Sequence, residues 1–72
     1  MKENLFGERL KELRIQDGLT LEQLGKLTSI HFSTIGYWEK GTKDNPTAKA
    51  LIALADYFDV SVDYLLGRKE DF

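Results

Sequence analysis

Residues 19–41, LTLEQLGKLTSIHFSTIGYWEKG, carry the reading that decides the fold. Thr20 followed three residues later by Gln23 has the form of a capping box, and Leu19 and Leu24 flank it as a hydrophobic staple. A helix is therefore predicted from Thr20 or Leu21 to about Leu27 or Thr28. After a break at Ser29, Ile30 and Ile35 form a second staple pair around a cap at His31. The next helix is predicted from Phe32 to about Glu39 or Lys40, with Gly41 as its stop. Two helices this short, joined by a tight turn, cannot be the up-and-down pair of a long bundle. They have the dimensions of a helix-turn-helix, whose second helix offers its outer face to a partner groove. The small Gly25 lets the two helices cross closely, and Leu24, Ile35 and Trp38 supply the packing between them.

The flanking sequence extends the same pattern. Phe6, Leu10 and Leu13 recur at i, i+4 and i+7, the buried stripe of a first helix that ends near Asp17-Gly18. Beyond Gly41, residues 42–46 form a polar loop and Thr47 caps a fourth helix. Leu51, Leu54, Ala55 and Phe58 line one face of that helix. Val60-Ser61 opens a last short helix through Leu66, stopped by Gly67. There is no repeat and no strand-like alternation. The expectation is an all-α fold of five helices, a single domain over residues 1–72 with its core at about 6–67. Leu10, Leu13, Leu24, Ile35, Trp38, Leu51, Leu54, Phe58 and Leu65 are its expected core.

Composition narrows the function classes. At 72 residues the chain is one domain, and 42% hydrophobic with 31% charged residues is a globular rather than a disordered balance. With no Cys there are neither disulfides nor thiolate metal sites, which suits a reducing cytoplasm. No apolar run approaches a membrane span, and MKENLFGERLKEL lacks a signal-peptide core, so a cytoplasmic location without membrane contact is expected. The lone His31 reads as a helix cap or surface residue, not as a metal ligand or catalytic base. No phosphate-binding glycine loop is present and no base has an orienting partner. An enzyme, a small-molecule substrate and a cofactor are therefore not expected. The formal net charge of −2 is not the footprint of a protein that holds nucleic acid by phosphate contacts alone.

Over roughly residues 6–67 the chain resembles the lambda-repressor-like, Cro/CI-type (XRE) helix-turn-helix family. The resemblance rests on GERLKELR in the first helix, then LT-x-E-x-L, STI-x-x-WE-x-G, NP-[ST] and VS-x-D-x-LLG, which are specific as a set. It implies five helices, recognition through the third, and dimeric binding to operator DNA by a small regulator of a phage or mobile-element switch. Several positions depart from the family pattern. Leu21 stands where DNA-binding members often have Gln, and Ser29 where the turn commonly has Gly. The outward positions of the third helix hold Phe32, Ser33, Gly36 and Tyr37, whereas a reader of base edges favours Arg, Lys, Asn or Gln. No residue from 31 to 38 is formally charged, and within residues 41–45 only Lys43 is basic.

Two partners fit these residues, and Leu21, His31, Phe32, Ser33, Gly36, Tyr37, Lys40 and Lys43 are the candidate contacts with either one. Operator DNA, bound by a homodimer, places Ser33 and Tyr37 nearest the bases and Lys40 and Lys43 on phosphates. Half-sites then lie about one helical turn apart, with self-association through Val62, Tyr64 and Leu65 of the last helix. The alternative partner is a repressor protein, which makes this chain an antirepressor or modulator of repression. Leu21, Phe32 and Tyr37 then form an apolar docking face, and Gly36 permits close approach of backbone. Phe32 either folds back over the turn as partial core or stands exposed. Ile15 and Leu27 lie off the buried stripes and are expected at the surface. The family resemblance places DNA first.

Overall fold

Four side chains mark where the helices begin. Thr20, His31, Thr47 and Ser61 each accept a hydrogen bond from a backbone N–H in the first turn that follows. The computed structural model describes residues 5–41, 46–68 and 70. Its elements are α1 (Phe6–Gln16), α2 (Leu21–Thr28), α3 (Phe32–Glu39), α4 (Ala48–Phe58) and α5 (Val62–Leu65), with no strand among the described residues. At α2 the capping box is complete. Thr20 Oγ1 accepts from the N–H of Gln23 at 3.1 Å, and Gln23 Oε1 accepts from the N–H of Thr20 at 2.8 Å. Caps of this kind contribute about 0.5–2 kcal/mol each, which matters in helices too short to persist alone.

The turn between α2 and α3 closes through Ser29, which takes the left-handed conformation with φ 60°. A residue with a Cβ gives up roughly 1 kcal/mol in that geometry, a cost that glycine would avoid. Gly25 faces the turn from one helical turn earlier. A Cβ on it would lie 2.6 Å from the carbonyl oxygen of Ile30, so the close approach is between α2 and the backbone leading into α3.

The core is built from every helix. Phe6, Leu10 and Leu13 of α1, Leu24 of α2, Ile35 and Trp38 of α3, Leu54 and Ala55 of α4, and Leu65 of α5 are all buried. Phe6 meets Trp38 edge to face, with ring centroids 5.5 Å apart. Leu51 and Phe58, expected inside, are only half-buried and pack on the margin of this cluster. The reason is coverage: α4 lies against α2 and against α5, and α5 is a single turn of four residues that cannot enclose both flanks of an eleven-residue helix. Leu65, expected in the core and also on an association surface, is wholly inside, which removes it from any such surface. Val62 and Tyr64 are half-buried. Arg9 donates to the carbonyl oxygen of Tyr64 at 2.9 Å and lies 4.2 Å above that ring, tying α1 to α5. Ile15 and Leu27 are exposed, as their positions off the stripes predict. Among the described residues no helix is long and apolar enough to cross a membrane.

Candidate functional site

Three contacts fix α3 in place. At its N-terminal end, the backbone of Ile30 and Phe32 lies against Gly25 of α2. Near its C-terminal end, a Cβ on Gly7 of α1 would strike the carbonyl oxygen of Trp38, so α1 and α3 touch backbone to backbone. The third contact is an ion pair. Arg14 Nε and one terminal nitrogen donate to the two carboxylate oxygens of Glu39 at 2.7 and 2.9 Å, and the other terminal nitrogen donates to the carbonyl oxygen of Leu19 at 2.8 Å. Only 14% of the Arg14 side chain and 7% of the Glu39 side chain is exposed. One guanidinium thus clamps the end of α1, the approach to α2 and the end of α3. The hydrogen bonds it donates to Glu39 hold the Arg14 guanidinium pKa above its ordinary value, against the opposing cost of burial. On the arginine side, its contribution to stability is therefore lost only as pH rises beyond the ordinary arginine value. A planar, bidentate pair suits this clamp because it fixes direction as well as distance.

With the inner side so held, the outer side is defined by helical rotation. At about 100° per residue, positions 32, 36, 40, 33 and 37 span an arc of roughly 140°, opposite Ile35 and Trp38. Phe32 at 42% exposure and Tyr37 at 52% stand at the two edges of this arc, with Gly36 between them. Ser33 and Lys40 are exposed on the same side. Phe32 does not fold back into the core. Its ring stacks instead on the imidazole of His31, centroids 4.7 Å apart and planes 24° from parallel. Nδ1 of His31 accepts from the N–H of Ser33 at 3.2 Å and lies 2.8 Å from the Ser33 hydroxyl oxygen. His31 therefore caps the helix and braces the two side chains that follow it.

Leu21 behaves differently from its expected role as an exposed neighbour of Phe32 and Tyr37. It is half-buried against the core, and its Cδ1 lies 3.5 Å from where a Cβ on Gly36 would stand. It supports α3 from beneath Gly36 more than it adds to an outer patch. A Cβ on Gly36 would make only that ordinary contact, so nothing inside the domain demands glycine there. Lys40 stands at the C-cap of α3, and Lys43 lies outside the described residues. No group of three or more potential metal ligands occurs among the described residues.

The clamp residues Gly7, Arg14 and Glu39 are additions to the site as read from sequence. A signal for the pair was present. Arg14 is four residues beyond Leu10 and Glu39 four beyond Ile35, so opposite charges occupy inward-facing rows on two helices. Charges on such rows are expected to pair.

A five-helix domain that mounts a short third helix this rigidly, with its outer arc clear of the core, is a helix-turn-helix domain of the kind found in transcription regulators. The family described as helix-turn-helix matches residues 10–65, and the chain belongs to that family, in its Cro/CI (XRE) branch. An uncharacterized HTH-type transcriptional regulator of Bacillus subtilis (strain 168), YobD, is 42% identical over 67 residues, which are 93% of this chain and 59% of YobD. An SPbeta prophage-derived regulator of the same organism, YonR, is 36% identical over 62 residues, 86% of this chain and 56% of YonR. The chain thus spans little more than half the length of these curated relatives. Among solved structures, the P22 c2 repressor in complex with synthetic operator superposes with a TM-score of 0.83 at 30% identity, covering 93% of this chain and all of the repressor chain.

Proposed function

We propose that this chain binds operator DNA through the outer arc of α3 and regulates transcription in a phage- or prophage-type switch. The observation that carries the reading is the mounting of α3. Its inner face is clamped by Gly7, Gly25 and the Arg14–Glu39 pair, which leaves Phe32, Ser33, Gly36 and Tyr37 facing outward on a fold that the P22 c2 repressor places on operator. In such docking the first residues of the recognition helix approach base edges, and flanking cations meet phosphates. Ser33 and Tyr37 then lie nearest the bases, with Lys40 and Lys43 on the backbone. A homodimer would address half-sites about 34–36 Å apart. The prophage origin of YonR supports the setting.

A titration of the chain against the promoter DNA beside its own gene, at two salt concentrations and with unrelated DNA as reference, tests this. Sequence-dependent binding that weakens steeply with salt is expected. Equal, weak binding to both DNAs would remove the reading. One observation favours a second reading, an antirepressor that docks on a repressor protein: residues 31–38 carry no formal charge, while Phe32 and Tyr37 expose aromatic surface. Under that reading the neighbouring repressor is bound tightly, the complex resists salt, and Phe32→Ala and Tyr37→Ala release it. The same titration with the repressor added separates the two.

A further inference from the structure

The bracing of Ser33 and Phe32 by His31 restricts what the first turn of α3 can read. Because the N–H of Ser33 donates to Nδ1 of His31, that nitrogen carries no hydrogen in the neutral imidazole. The Ser33 hydroxyl, 2.8 Å from the same nitrogen, must then donate to it. Its proton is then engaged by the imidazole, and its lone pairs are what it can still offer a partner. Facing a major groove, such a hydroxyl accepts a hydrogen bond and does not give one. The groove offers two kinds of donor, the N6 amine of adenine and the N4 amine of cytosine.

Phe32 supplies the second restriction. One face of its ring is covered by the imidazole, so the ring is fixed and what remains exposed is hydrocarbon. The one hydrocarbon group on a base edge in the major groove is the thymine methyl. No side chain in this turn offers the paired donors that select guanine. An A·T pair alone presents both an amine donor and a methyl group in that groove.

We infer that the first turn of α3 reads A·T pairs in the major groove, Phe32 through the thymine methyl and Ser33 by accepting from the adenine N6 amine. The inference rests on the operator-DNA reading given above, and it names the base chemistry of that target. His31 is the positioning residue: it touches neither base but fixes the polarity of one contact and the orientation of the other. Without it, the Ser33 hydroxyl is free to donate as well as accept, and discrimination at that pair relaxes.

The test uses the full chain and a randomised duplex pool, from which the preferred sequence is selected. Variants of the selected duplex then carry deoxyuridine for thymidine, or purine deoxyriboside for deoxyadenosine, one position at a time. These analogues delete a single methyl or a single amine and leave the protein untouched, so no folding defect can intrude. At one position in each half-site, loss of the methyl should weaken binding about fourfold, the effect of one methylene-sized group leaving apolar contact. Phe32→Ala should abolish the thymidine–deoxyuridine difference, and Ser33→Ala the adenine–purine difference, with thermal melting by circular dichroism confirming that both variants fold. A selected duplex whose affinity ignores every deoxyuridine and purine substitution would overturn the inference while leaving sequence-specific DNA binding intact. A pool that yields no preferred sequence would overturn both.

Discussion

On its inner face α3 carries Ile35, Trp38 and Glu39, each in contact with a partner on another helix. On its outer face it exposes Phe32, Ser33 and Tyr37 around a bare Gly36. The two faces belong to the same eight-residue segment and share its backbone. On the inner side, packing and one ion pair leave little latitude in residue type. On the outer side the domain's own demands are lighter, the stack of His31 on Phe32 and its hydrogen bonding with Ser33 apart, so residue choice there is less constrained. Stability rests on one half of this short helix and, under the proposed function, recognition on the other, so substitutions on the two sides should report on different quantities.

The largest effect should come from the inner face. Trp38→Ala should cost on the order of 3–5 kcal/mol, enough to unfold a domain of this size, as measured by thermal or urea melting. Arg14→Ala should cost a similar amount, roughly 3–5 kcal/mol, because it strands the Glu39 carboxylate in a nearly closed site. Combining Arg14→Met with Glu39→Leu should recover most of that loss, since no buried charge is left alone. A double variant no more stable than Arg14→Ala would show that the clamp acts through direction rather than charge balance.

The two mid-helix glycines sharpen the contrast. Gly25→Ala should destabilise by about 1–3 kcal/mol, because its methyl meets the Ile30 carbonyl oxygen with no room to move. Gly36→Ala should do the reverse and stabilise by up to about 1 kcal/mol, the ordinary helix preference for alanine. If Gly36→Ala instead lowers the melting temperature, the outer face is less open than the geometry states. Should it raise stability yet weaken partner binding, glycine is held there by the partner and not by the fold.

Smallest of all should be the stability effects of the exposed side chains. Phe32→Ala and Lys40→Gln should each shift unfolding by roughly 0.5 kcal/mol or less. Under the operator-DNA reading their influence belongs to binding. Lys40→Gln should lower the slope of log affinity against log salt by about 1, equally for all DNA sequences. An unchanged slope would take Lys40 off the phosphate backbone.

Much of the fold could be read from local signals, because short helices leave local marks. Thr20 with Gln23, His31, Thr47 and Ser61 stand at helix starts, where hydrogen-bond geometry depends on a few adjacent residues. The inward stripes of α1 and α3 followed from spacing alone. Harder to read were features set by how helices cross. Gly7 looks like any glycine near a helix start until α3 is laid across it, and the partner of Arg14 is 25 residues away. Leu51 and Phe58 lie on the apolar face of α4, but their burial depends on how much of that face the short α5 can cover. The outer arc was the least legible. Which residues face outward was readable, whereas what they touch leaves no imprint on the domain's own contacts. The bracing of Ser33 by His31 is an exception, since there a local cap also sets the chemistry of the face.

The Arg14–Glu39 clamp has a consequence for how such domains diverge and how they can be re-engineered. Positions 32, 33 and 36 can be exchanged as a cassette together with His31, which stacks on the first and hydrogen-bonds with the second, because they lie outside the buried core. Position 39 cannot travel with that cassette. It is mated to position 14 on a different helix, so a graft that carries a foreign residue into it without its mate breaks the chassis while leaving the grafted face correct. Transplanting a foreign outer face into this domain should therefore stop short of Glu39, and lineages that alter the pair must pass through a weakened intermediate or change both ends together.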